Sequence, residues 1–145
     1  MPDSDLVAWS DPESVTDGVW EVRSRADIVV VVLHAGKEYS RTPTEAQLAA
    51  ARAAIDAGAD LVVGHHPHVT QTVDYYRDGL VVYSLGNALF DIQLQSAMQG
   101  DLLRVLVTRD GLMQAELWPF WIDGEIQPRL LEDGQGVPVI EVIYP

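Results

Sequence analysis

Three of the chain's four histidines fall in the run Gly64-His65-His66-Pro67-His68, directly after the apolar stretch Leu61-Val62-Val63. The fourth, His34, follows a second apolar stretch, Ile28 to Leu33. Neutral imidazole suits zinc, iron, nickel and copper, so a dense His-His-x-His set points to a transition-metal site. Metals held this way polarise oxygens and activate water, which makes hydrolysis the natural chemistry. Generating hydroxide at a metal pair also calls for carboxylates, and the oxygen-ligand candidates are Glu38, Asp60 and Asp91. Glu38 stands out because it lies just past His34, placed to bind metal or to act as general acid or base. Ser84 is no hydrolase nucleophile: it lacks a Gly-x-Ser-x-Gly context and no histidine follows it.

The elements around these residues explain why they would meet. Asp11-Pro12-Glu13 caps and opens a helix predicted over about residues 12–24, with Val15, Val19 and Val22 at helical spacing. Residues 28–33 are continuously apolar and β-branched, as in a strand covered on both faces of a parallel sheet. Thr42-Pro43-Thr44-Glu45 reads as a capping box with Thr42 as N-cap and Glu45 reaching back. It opens an alanine-rich helix that runs to Ala57 and stops at Gly58. A strand at 61–63 completes a βαβ unit. Parallel neighbours bring their carboxyl ends to one sheet edge, where α/β proteins build their sites, so His34 and the 65–68 cluster should face each other.

Further on the pattern is antiparallel. Thr70–Tyr76 and Leu80–Tyr83 flank Arg77-Asp78-Gly79, and Leu102–Thr108 and Leu112–Phe120 flank Asp110-Gly111, two hairpins. Residues 92–101 read as exposed, and 137–144 as a last strand. Tyr75 and Tyr76 read as sheet-face residues, and Trp118, Phe120 and Trp121 as core or its cover. No repeat or linker divides the 145 residues, so one domain is expected.

The formal charge of −13, from 22 acidic and 9 basic residues, leaves no basic stripe for nucleic acid. A polyanionic substrate would need bound cations to offset that field. With no cysteine there are no disulfides or thiolate ligands. The acidic start lacks the basic and apolar regions of a signal peptide, and no apolar stretch approaches the roughly 20 residues of a membrane helix. The expectation is a soluble chain, cytoplasmic by default.

Taken together, His34-Ala35-Gly36-x-Glu38-Tyr39, Pro43, Gln47, the run Ala57 to Val69, Tyr83-Ser84-Leu85-Gly86-Asn87 and Phe90-Asp91 resemble the bacterial CapA family of capsule (poly-γ-glutamate) synthesis proteins, a branch of the calcineurin-like metallophosphoesterases. The match covers about residues 26–91. The resemblance implies an α/β (α+β) fold, the C-terminal half of a metallophosphoesterase sandwich: one βαβ unit followed by antiparallel hairpins. It also implies a site in which metal-activated hydroxide attacks phosphorus, with two divalent transition metals (zinc, manganese or iron) when complete.

On that resemblance the metal ligands are His34, as the lone histidine, and His66 and His68, as the His-x-His pair. His65 is the extra imidazole, an alternative ligand or substrate contact, and with Glu38 it makes the catalytic candidates. Ser84 and Asn87 are candidate substrate contacts, although the same residues also suit a plain turn. The family's earlier Gly-Asp, Asn-Leu-Glu and Asn-Asn-His motifs have no counterpart here, so the chain looks like the histidine-donating half of a longer protein. Two other readings are a non-catalytic accessory in capsule polymer synthesis or export and a plain metal-binding module. Cutting a sandwich should expose apolar surface and a strand edge, and association with the other half or with itself is expected.

Overall fold

The computed structural model describes residues 8–91, 94–109, 111–131 and 137–141. Helix α1 (Pro12–Arg23) begins as its sequence dictates: Asp11 accepts from the Ser14 N–H, and Pro12 occupies the first turn. Its buried Val15 and Val19 pack toward α2 (Glu45–Asp56), whose own inner face is Ala50, Ala51, Ala54 and Ile55. Between them run β1 (Val30–His34) and, after α2, β2 (Leu61–His65), parallel and in register from Val30↔Leu61 to His34↔His65. The βαβ unit is present as expected.

The cap of α2 is shifted two residues from its expected position. Thr44, extended at φ −77° and ψ 158°, is the N-cap, and Gln47 closes the box by accepting from the Thr44 N–H. The cause is Gln47 itself. Its buried amide also donates to Gln71 Oε1 at 2.9 Å, so the third helical position carries a residue with partners in the interior, while Glu45 stays in solvent. At the other end Gly58, at φ 108°, provides the expected left-handed stop.

Strands β3 (Val73–Tyr76) and β4 (Gly79–Val82) form the first hairpin. β4 inserts between β2 and β3 and lies parallel to β2, giving the order β1-β2-β4-β3. The second sheet holds β5 (Gln99–Thr108) and β6 (Gly111–Ile122), with β7 (Pro128–Leu130) and β8 (Val137–Glu141) both pairing β6. β7 was not expected. The proposed turn residue Asp110 and the end of the last strand, 142–144, lie outside the described residues. Phe120 is buried, and Trp118 and Trp121 are half-buried.

One face of the first sheet carries the helices; the other packs Leu61, Leu80 and Val82 against Leu112 and Ala115 of the second sheet. That second layer covers β2 and β4 but not β1. The expectation that β1 is covered on both faces is therefore corrected: Val30 is 51% and Val32 66% exposed. The run 92–101, expected at the surface, is also corrected where it is described. Ala97 in a short 3-10 turn (Gln95–Ala97) and Gly100 at the start of β5 are buried, because Gly100 bridges to Gly86 and draws this segment under the 84–87 loop.

Asp101 stands opposite Pro119 in the β5–β6 ladder, and burial pushes its carboxyl above the usual carboxylate range. A raised native pKa means the folded chain binds more protons than the unfolded one in this range, so stability falls as pH rises from the ordinary carboxylate value through the raised one. Asp101→Asn should therefore stabilise the fold at pH 7 and lose that advantage in acid. Thermal melts of both proteins between pH 3.5 and 7 check this; a gain independent of pH would contradict it.

Candidate metal centre

Parallel register places His34 beside His65 at the carboxyl ends of β1 and β2, on the sheet face away from the helices. Past β2 the chain turns sharply, with His66 at φ 98° and His68 at φ 59° around the buried Pro67. Left-handed backbone is costly for residues with a Cβ, though histidine is among those found there more often, and each such residue stores roughly 1–3 kcal/mol. The Tyr39 N–H donates to the Pro67 carbonyl at 2.7 Å, and the Ala35 N–H to the His65 carbonyl at 3.1 Å. These two bonds bind the loop after β1 to the loop after β2.

The result is a short row of imidazoles. His66 Nδ1 and His34 Nε2 lie 3.2 Å apart and share a hydrogen bond, with ring centroids at 4.9 Å. The His66 and His68 rings are 6.3 Å apart. Two nitrogens on one tetrahedral zinc, each about 2.0–2.1 Å from the metal, are separated by roughly 3.3 Å. The nitrogens of His34 and His66 thus have the spacing of two corners of such a site.

His68 is fixed differently. Its Nδ1 lies 2.8 Å from Asn87 Oδ1, while Asn87 Nδ2 donates to the carbonyls of Ala97, at 2.9 Å, and His68, at 3.3 Å. Because both Nδ2 partners are pure acceptors, the amide orientation follows, and Oδ1 must face the ring. His68 then carries its proton on Nδ1 and leaves the Nε2 lone pair free, the arrangement an oriented metal ligand requires. Asn87 is only 6% exposed, and all three of its polar contacts are internal.

Of the other candidates, His65 is half-buried, and burial first, then the neighbouring His34, hold its imidazole below the ordinary value. Ser84 is buried and its hydroxyl accepts from the Gly86 N–H at 3.2 Å, the turn role the sequence also allowed. Glu38 is exposed on the 34–41 loop, Asp91 is exposed, and Asp60 accepts from the Val29 N–H and pairs with Arg23 at the opposite ends of the strands. Among the described residues no three His, Cys, Asp or Glu stand close enough to hold a metal ion by themselves. The spacing of the imidazole pair is that of two ligands on one metal, and among the described residues no carboxylate joins them to complete a shell.

Reasoning from sequence missed Gln71. Its amide, buried, accepts from Gln47 and donates to the Ser40 carbonyl at 2.8 Å, bracing the loop that carries Tyr39. A buried glutamine between a histidine loop and a strand carries no periodic signature. Tyr39 and Phe90, whose rings lie 6.1 and 4.7 Å from that of His68, had the sequence signal of aromatics in the loops flanking the site.

Two layers of mixed α and β structure, with imidazoles at the parallel strand ends, make this a partial metallophosphoesterase-like α+β domain. A family model, bacterial capsule synthesis protein PGA_cap, matches residues 1–92, and the chain belongs to that family. It is 39% identical over 110 residues to the PGA biosynthesis protein CapA of Bacillus subtilis, covering 76% of this chain and 29% of that one. It is 54% identical over 69 residues to the capsule biosynthesis protein CapA of Bacillus anthracis, covering 48% and 17%. A probable polyglutamine synthesis accessory protein of Mycobacterium tuberculosis is 31% identical over 67 residues, covering 46% and 18%. The chain thus spans less than a third of the length of these curated relatives. No described helix is long and apolar enough to cross a membrane.

Proposed function

We propose that this chain is the histidine-bearing portion of a CapA-type capsule, or poly-γ-glutamate, biosynthesis protein, and that it contributes imidazole ligands to a metal-dependent phosphoesterase-type hydrolase site. The observation that carries this reading is the 3.2 Å spacing of His34 Nε2 and His66 Nδ1, with His68 held beside them by Asn87. A divalent zinc, manganese or iron ion bound there would supply Lewis acidity toward a phosphoryl oxygen. His34 and His66 hold it, and His68 serves it or a second ion through Nε2. His65 and Glu38 remain the candidates for proton transfer, and no catalytic step is assigned to this chain by itself.

The test is equilibrium dialysis of the untagged chain against Zn²⁺ and Mn²⁺ with elemental analysis, followed by aryl phosphate hydrolysis with the chain and with the longer protein. Metal uptake by the chain and turnover by the longer protein support the reading. No uptake by the chain or by the longer protein overturns it. Uptake with no turnover by either favours the second reading, a non-catalytic accessory.

The remaining ligands must arrive from outside the described residues, and the open side of His34 is the outer edge of β1, unpaired among the described residues. Beside that edge lies an open groove of about 640 Å³, lined by Trp9, Val19, Val22 and β1 itself. We propose that another segment of the longer protein, or a second copy when that segment is absent, pairs there. The isolated chain should sediment as oligomers at tens of micromolar, and Val32→Lys, a charge on the exposed face of an edge strand, should shift it toward monomer. A compact wild-type monomer at that concentration would refute the association.

A further inference from the structure

Two aromatic side chains beside the imidazoles remain substantially exposed. Tyr39 is 45% and Phe90 40% exposed, yet both rings approach His68, with centroids 6.1 and 4.7 Å away and interplanar angles of 31° and 36°. Tyr39 also adopts φ 61°, a conformation unfavourable for a bulky side chain, and is held in it by the bond from its N–H to the Pro67 carbonyl. That loop is braced from behind by the buried Gln47–Gln71–Ser40 relay. The chain therefore spends backbone strain and buried hydrogen bonds on placing a ring where it stays in water. Such rings offer flat apolar faces to a ligand beside the imidazoles.

The overall charge narrows what that ligand is. At −13 the molecule repels a long polyanion, whereas a single anionic group seated at metal-bearing imidazoles is tolerated. We propose that Tyr39 and Phe90 form the specificity rim of the site and receive the planar organic group of a small phosphate or phosphonate ester whose anionic end lies at His34, His66 and His68. This rests on the cluster being a ligand site, but its test does not depend on turnover.

Binding of phenylphosphonate and methylphosphonate is compared by ligand-observed NMR and calorimetry, with metal-free and zinc-treated protein, for the wild type and for Tyr39→Leu/Phe90→Leu. The leucines keep apolar bulk and remove the planar faces; Phe90→Leu alone is a milder second variant. Phenylphosphonate is expected to bind about fivefold tighter than methylphosphonate, with saturation transfer concentrated on its ring protons. The double variant should bring the two within about twofold while zinc uptake stays unchanged. Equal binding of the two phosphonates by the wild type, detectable binding of neither, or an equal loss of both in the variant overturns the rim. Zinc uptake without phenyl preference removes the rim and leaves the metal centre standing; phenyl preference without zinc uptake does the reverse.

Discussion

Gly64→Ala should leave little folded protein. An ideal Cβ at Gly64 would lie 1.9 Å from the Tyr83 carbonyl oxygen and 2.6 Å from its carbon, backbone atoms just past the end of β4. A side-chain neighbour could rotate away, but this one can move only if β4 separates from β2, and the Leu85 N–H bond to the Gly64 carbonyl would go with it. The loss should exceed about 3 kcal/mol, in the range reserved for overpacking and strain in a core. Gly18→Ala in α1 is the matched control: nothing lies within 4 Å of its would-be Cβ, and helix propensity alone should raise stability by about 1 kcal/mol. Urea unfolding of the three proteins decides the matter. A Gly64→Ala midpoint close to wild type would mean that the strand ends are not packed as described.

The second large effect concerns metal. His34 ends a regular strand, whereas His66 sits at φ 98°, so His34→Ala is the cleaner removal of one corner of the imidazole pair. It should weaken zinc affinity by more than about 100-fold, beyond what loss of an outer-shell partner achieves. Asn87→Ala should cost about 10-fold, because it frees the His68 ring to rotate and change tautomer without deleting a donor. Competition against a chromogenic chelator gives both numbers. If His34→Ala binds zinc as the wild type does, the centre is not at this pair. If Asn87→Ala matches wild type while His34→Ala fails, His68 is not a ligand.

The features legible in the sequence were those written in local chemistry. β-branched runs at 28–33 and 61–63, an alanine-rich stretch closed by Gly58 and two glycine-bearing turns specify a βαβ unit and hairpins, and parallel pairing then places His34 beside the 65–68 cluster. Other features depend on distant partners. A continuous apolar run reads as covered on both faces, and nothing in Ile28 to Leu33 records that the second sheet stops short of β1. The insertion of β4 between β2 and β3 is a choice of neighbour made by tertiary packing. Asn87 was noticed as a residue, but its role depends on the Ala97 carbonyl, ten residues on in a segment expected at the surface.

That last bond couples the site to a part of the chain with its own lability. His34 and His65 are held by the β1–β2 ladder, so they are displaced only when that strand pair itself comes apart. The orientation of His68 depends on one amide tied to a three-residue turn, Gln95–Ala97. Subglobal opening of that turn requires far less than whole-chain unfolding. Amide exchange at Ala97 and Met98, whose N–H groups close the turn onto Leu94 and Gln95, is therefore a direct reading of how often His68 is released while the rest of the cluster stays assembled.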